Sequence, residues 1–174
     1  GSSNGAHCLL LLNQLFNLAL KVEALAEMAL TLGSDCPFFI YNQPSFACSR
    51  GEKIAPIQLP LKGYQVVLIN PGIHINTAWA FGQIQPDIPS HCLSKLNEVP
   101  LANWQAEVIN DFQEAAASQY PIIQQIIAYS LSAGALFASM TGTGSTCFAL
   151  FAPHQQLPNF QPFSHYWMRS VLLP

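Results

Sequence analysis

Phe137-Ala138-Ser139-Met140-Thr141-Gly142-Thr143-Gly144-Ser145-Thr146-Cys147-Phe148-Ala149-Leu150-Phe151 reads as two short strands joined by a glycine-rich loop. Phe137–Met140 and Thr146–Phe151 are apolar and of strand length, and the small polar residues between them break both. Gly142 and Gly144 let the backbone take conformations closed to other residues, and the hydroxyls of Thr141, Thr143 and Ser145 can line a ligand site. A lone Gly-x-Gly also fits an ordinary turn, so this loop needs company before it means more.

Working outward, Tyr64–Asn70 is β-branched and apolar, predicts a strand, and stops at Pro71-Gly72. Asn76-Thr77 then offers a cap for a helix that includes Trp79 and Phe81. Residues 103–118 and 121–132 read as two helices, with Pro121 opening the second. Ser170–Leu173 is a last strand. Toward the N-terminus, residues 7–20 and 21–32 read as helices, the second ended by Gly33. Gly33–Pro37 reads as a turn into a strand-like run, Phe38-Phe39-Ile40. Residues 44–60 hold short strands around Ser49-Arg50-Gly51-Glu52, limited by Pro56 and Pro60. The stretch 86–102, rich in proline and serine, predicts a surface loop with one helical turn. Helices and strands come in blocks without regular alternation and without an internal repeat, so the fold class is α+β. The composition changes near Pro60–Gly63, which marks a domain boundary and predicts segments 1–62 and 63–174.

The chain has 174 residues, 51% hydrophobic and 9% charged, with a formal net charge of −3. Soluble domains carry about 25% charged residues. So little charge fits a chain that packs against further sequence, or one that binds a partner or pairs with a second copy as a homodimer. The negative balance argues against nucleic acid, which would ask for a basic face. The apolar run Cys8–Leu20 is interrupted by Asn13, Gln14 and Asn17, too short and too polar for a membrane span. No basic stretch followed by an apolar one suggests a signal peptide, so the expected location is cytoplasmic. The five cysteines form no C-x-x-C pair and are expected as reduced thiols. The histidines His74, His91, His154 and His165 show no metal-ligand spacing. Trp79, Trp104 and Trp167 are expected to pack.

Two more stretches can carry chemistry. Gly1-Ser2-Ser3-Asn4-Gly5-Ala6 is a small-residue loop ahead of a leucine-rich helix, a place where backbone N–H groups and the helix dipole favour phosphate. No Gly-Lys-Ser/Thr follows, so it is not a P-loop. The same residues also fit a flexible terminus. Asp35 lies between a helix end and an apolar run, where a carboxylate can take a proton from an attacking hydroxyl. It also fits a turn aspartate bonded to its own backbone.

In order, Gly-Ser-Ser-Asn ahead of the leucine-rich helix, Leu-Gly-Ser-Asp-Cys-Pro-Phe-Phe, Arg-Gly-Glu-Lys-Ile-Ala-Pro-Ile and Met-Thr-Gly-Thr-Gly-Ser-Thr-Cys-Phe-Ala-Leu-Phe resemble the GHMP kinase superfamily. Val67–Gly72, Asn76-Thr77, Phe81 and Asn110-Asp111-Phe112 fit the same pattern. The resemblance implies a two-domain fold, with 1–62 the remainder of an ATP-binding domain and 63–174 a ferredoxin-like C-terminal domain. It implies ATP and Mg²⁺, with Gly1, Ser2, Ser3 and Asn4 at the nucleotide phosphates and Ser2 and Ser3 near the metal. It implies Asp35 as the catalytic residue, and Thr77, Phe81, Gly142, Thr143 and Gly144 at the acceptor. The blocks fit best the branch that phosphorylates a cytidine diphosphate-linked methylerythritol, with Phe81 stacked on the cytosine. The family's catalytic lysine, an asparagine and the other cytosine contacts belong ahead of Gly1, so this chain alone is expected to lack useful kinase activity. Gly5 and His7 depart from the family's usual residues, and a charged His7 would oppose the helix dipole.

Overall fold

A computed structural model describes residues 1–85 and 93–174. The described chain forms two compact units. One comprises Gly1–Leu59 with Leu93–Asn97, and the other the rest.

In the first unit, α1 spans Ser2–Leu15 and α2 spans Val22–Leu32. The expected loop at 1–6 is therefore the start of a helix. Ala6 is fully buried, and Leu9 and Leu10 pack on the same core, so the apolar stripe extends the helix back through small residues of weak propensity. The helix stops short of residue 20. Asn17 and Ala19 take positive φ, and the Asn13 side chain turns back to accept from the Leu20 N–H at 3.0 Å.

The run after Asp35 is helix α3, Cys36–Tyr41, and not a strand. Pro37 in the first turn presets the helical φ, and Cys36, Pro37 and Ile40 are buried at helical spacing. A six-residue apolar run fits either period, and here the proline decides it. The expected strands follow as β1 (Ser45–Cys48) and β2 (Lys53–Pro56), an antiparallel hairpin with Cys48 opposite Lys53.

The second unit is built on β3 (Gln65–Asn70), followed by α4 (Thr77–Gln83). Asn76 caps α4 as expected, its Oδ1 accepting from the Trp79 N–H at 3.0 Å. Of the loop expected at 86–102, residues 86–92, with His91 and Cys92, lie outside the described residues. Leu93–Glu98 and Leu101–Asn103 are 3-10 turns. The single helix expected at 103–118 is two, α5 (Trp104–Glu107) and α6 (Asp111–Gln119). Val108 is extended and Asn110 caps α6, so the chain breaks between them. Next come α7 (Ile122–Ser132), β4 (Phe137–Met140), β5 (Cys147–Phe151), a 3-10 turn at Gln161–Phe163 and β6 (Trp167–Leu172).

The four strands β3 to β6 make one antiparallel sheet in the order β4-β5-β3-β6. That is the ferredoxin-like order, with the second crossover reduced to the 3-10 turn at Gln161–Phe163. Helix α7 packs on β4 and β5. Ile123, Ile126 and Ile127 meet Met140, Cys147, Ala149 and Phe151 in one dry core. Truncating a buried isoleucine such as these costs about 2–5 kcal/mol, enough to threaten a domain of ordinary stability. That core holds the strand ends from which the glycine-rich loop projects.

Candidate functional site

Asp35 is exposed at the N-cap of α3, yet its carboxylate makes no capping hydrogen bond. Among the described residues no ion pair reaches it. A carboxylate presented this way, on a short rigid helix and not consumed by its own turn, is free to accept a proton. Its nearest constraint is the hairpin turn. A Cβ placed on Gly51, whose φ is +103°, would lie 2.8 Å from Asp35 Oδ1. The turn is stitched by Glu52, whose Oε2 accepts from the Arg50 N–H at 2.8 Å. Glu52's own backbone N–H, then the Ser49 hydroxyl, then Arg50 hold its carboxyl below the usual range.

Gly1 is the N-cap of α1, and Ser2, Ser3 and Asn4 form its first turn. The backbone N–H groups expected of a phosphate loop are thus those of a helix N-terminus, where they lack intrahelical partners. His7 Nδ1 donates to the Ser3 carbonyl at 2.8 Å and lies 3.4 Å from Ser3 Oγ. Because a carbonyl only accepts, the proton sits on Nδ1. Helices α1 and α3 pack together in this unit.

Mg²⁺ takes an octahedron of oxygens, commonly one or two carboxylates with waters and phosphates. The two serine hydroxyls, Ser3 already near His7, do not make such a cage. Among the described residues no group of three His, Cys, Asp or Glu does either.

In the second unit, Thr77 opens α4 and is exposed, and Phe81 is 59% exposed. The Phe81 ring meets Phe112 edge-on, centroids 4.9 Å apart at 73°. Its other face is therefore open to stack on a flat base. An open cleft of about 790 Å³ lies between the ends of α4 and α6, lined by Trp79, Gln83, Asn110, Asp111 and Glu114.

The loop after β4 is held at both ends. Thr141 N–H donates to Thr146 O at 2.9 Å, and the buried Ser145 hydroxyl donates to Ile73 O at 2.7 Å. Gly142 is exposed, and Thr143 and Gly144 are half-buried. Gly144 has φ +97°, and a Cβ there would fall 2.7 Å from Ile75 Cδ1 and Met140 Sδ. Asn110 Nδ2 donates to Met140 O at 2.8 Å and to Gly142 O at 2.9 Å. Sequence reasoning noted Asn110-Asp111-Phe112 as a motif but gave it no role. The signal was the capping asparagine itself, which has a spare amide.

The remaining candidates fall apart as a site. His74, His154 and His165 are exposed and separate, Trp104 packs edge-on against Phe137, and Trp167 is exposed on β6. Cys8 and Cys48 are exposed free thiols, and Cys36 and Cys147 are buried ones. Burial pushes the Cys147 thiol up to about 12. No helix among the described residues is long and apolar enough to cross a membrane.

Residues 87–162 match the family profile described as GHMP kinases C terminal. With the fold and the glycine loop above, the chain carries a domain of the GHMP kinase C-terminal kind. More particularly, it is 44% identical over 157 residues to a 4-diphosphocytidyl-2-C-methyl-D-erythritol kinase of Bacteroides fragilis, covering 90% of this chain and 57% of that protein. A protein of the same name from Bacteroides thetaiotaomicron is 42% identical over 158 residues, covering 91% and 58%. A solved structure of 4-(cytidine 5'-diphospho)-2C-methyl-D-erythritol kinase superposes with TM-score 0.66 at 26% identity, covering 86% of this chain and 55% of that one. A homoserine kinase from Cytophaga hutchinsonii shares the fold, with TM-score 0.56 at 18% identity over 82% of this chain and 52% of its own. The chain thus spans a little over half the length of the curated relatives it matches.

Proposed function

We propose that this chain takes part in transferring the γ-phosphoryl group of ATP to the 2-hydroxyl of 4-diphosphocytidyl-2-C-methyl-D-erythritol, a step of non-mevalonate isoprenoid biosynthesis in the cytoplasm. The observation that carries this reading is the uncapped Asp35 carboxylate within a stretch 44% identical to a kinase of that name. In this reading residues 1–62 belong to the ATP-binding domain and 63–174 to the C-terminal domain. The N–H groups of Gly1, Ser2, Ser3 and Asn4 face the phosphates. Asp35 takes the proton of the acceptor hydroxyl as its oxygen attacks phosphorus in line, and the ADP oxygen leaves. Phe81 stacks on the cytosine, Thr77 bonds the nucleoside, and Gly142, Thr143 and Gly144 close on the acceptor. Any Mg²⁺ would arrive with the nucleotide phosphates.

The 174 residues cover 57% of the Bacteroides fragilis relative's length, so transfer is tested with the rest of that protein supplied. The test is a fusion. This chain replaces the matching stretch of the Bacteroides fragilis relative, and transfer to three acceptors is compared. The cytidine diphosphate-linked substrate should be phosphorylated and homoserine and mevalonate should not. Equal use of homoserine or mevalonate would move the chain to another GHMP activity.

A second reading rests on the apolar surface of α1 and α2, where Leu11, Leu15 and Leu32 are 65%, 72% and 59% exposed. It has the chain pairing with a second copy through that face. Light scattering of the purified chain separates the two: a monomer that binds no hydrophobic dye removes this reading.

A further inference from the structure

Helix α6 begins where two parts of the second unit's surface meet, and the residues that start it touch both. Asn110 uses every polar atom of its side chain. Oδ1 caps α6 by accepting from the Phe112 N–H at 3.0 Å, and Nδ2 donates to Met140 O and Gly142 O at 2.8 and 2.9 Å. One turn on, Gln113 Oε1 accepts from Met140 N–H at 2.8 Å and from Ser139 Oγ at 3.0 Å. Gln105 Oε1 accepts from Ala138 N–H at 2.9 Å. Strand β4 is the edge of the sheet, and these three amides satisfy the backbone groups that an edge leaves bare. Asn110's bond to Gly142 runs past the strand, inside the glycine loop. Two residues from Asn110, the Phe112 ring backs Phe81.

We infer that the Asn110–Phe112 turn is the positioning element for both acceptor-facing parts of this unit. Asn110 fixes the height of the Gly142–Gly144 loop, and Phe112 fixes the plane of Phe81. The inference rests on the acceptor role proposed above for those two parts, but its physical content does not. A single helix start holds both contacts, so a shift of α6 moves the loop and the ring together.

The experiment uses the 174-residue chain, amide hydrogen exchange, and cytidine 5'-diphosphate as probe. Asn110→Ser keeps a capping oxygen and loses both donated bonds. Amides at 142–145 should then exchange about tenfold faster or more, while those at 115–119 keep their protection. Phe112→Leu should change the aromatic resonances of Phe81 and leave the loop's exchange alone. Cytidine 5'-diphosphate should shift the signals of Phe81 and of Gly142 and Gly144 together in the unaltered chain, and about tenfold more ligand should be needed in Asn110→Ser. Unchanged exchange at 142–145 in Asn110→Ser overturns the positioning role, as does equal loosening of α6, which would make Asn110 a helix cap only. If the nucleotide leaves all of those signals unmoved while the loop loosens as expected, the acceptor reading fails and the positioning role stands.

Discussion

The Asp35 carboxylate and the Gly51 α-carbon are so close that a methyl group on Gly51 would stand 2.8 Å from Asp35 Oδ1. Two separate stretches of sequence thereby share one small space. The turn needs glycine twice, for its φ of +103° and for the room it leaves the carboxylate. Gly51→Ala should cost more than about 1 kcal/mol from the backbone alone, and should displace Asp35 as well. Chemical denaturation measures the first effect. Rates of the fused kinase measure the second, which should exceed anything the stability loss explains.

The turn that carries Gly51 should loosen in acid. Hydrogen bonds hold the Glu52 carboxyl below its usual 4.5, so its support for the turn is complete above that value and is lost as pH falls through the lower, folded one. The Arg50 amide, which donates to Glu52, should show this as faster exchange, corrected for intrinsic rates, as pH falls below 4.5. Glu52→Gln should remove the pH step.

Thiol labelling should follow burial. Cys8 and Cys48 should be alkylated quickly at pH 8, and Cys36 and Cys147 only on unfolding. For Cys147, folding favours the protonated thiol. Its contribution is full below the ordinary 9.0 and lost as pH rises through about 12, so alkaline pH should weaken the fold and bring on its labelling. Peptide mapping by mass spectrometry reads all four sites.

Gly144→Ala should disturb the glycine loop more than the fold. Its φ of +97° and the approach of Ile75 and Met140 leave no place for a Cβ without movement. A loss of about 1–2 kcal/mol in stability is expected from that backbone conformation. Exchange at 141–146 should rise with it, while β3 stays protected.

Much of this was legible in the sequence, and what was not has physical reasons. β3, β5, the β1–β2 hairpin, α2 and the Asn76 cap announce themselves by β-branched runs, turn residues and capping chemistry. Phe38-Phe39-Ile40 was ambiguous because six apolar residues fit either period, and only Pro37 tips them to helix. Ser2–Gly5 looked like loop because local propensity cannot see that Ala6 is buried against α2 and α3. The break before α6 hid because Val108 and Ile109 continue the apolar pattern. For the site, family resemblance gave Asp35 and the glycine loop. It included Gly51 and Asn110 in its blocks but gave them no role, because their roles exist only once distant backbone is brought to them.

The central claim is that Asp35 receives the acceptor's proton. Its direct test is the rate of phosphoryl transfer to 4-diphosphocytidyl-2-C-methyl-D-erythritol by the fused kinase, with Asp35 and with Asp35→Asn. Asparagine keeps the shape, and the exposed, uncapped side chain predicts an unchanged melting temperature. Transfer should fall by about 10²–10⁴-fold. A variant that transfers at the original rate, or a folded fusion that binds ATP and leaves this acceptor untouched, would contradict the account.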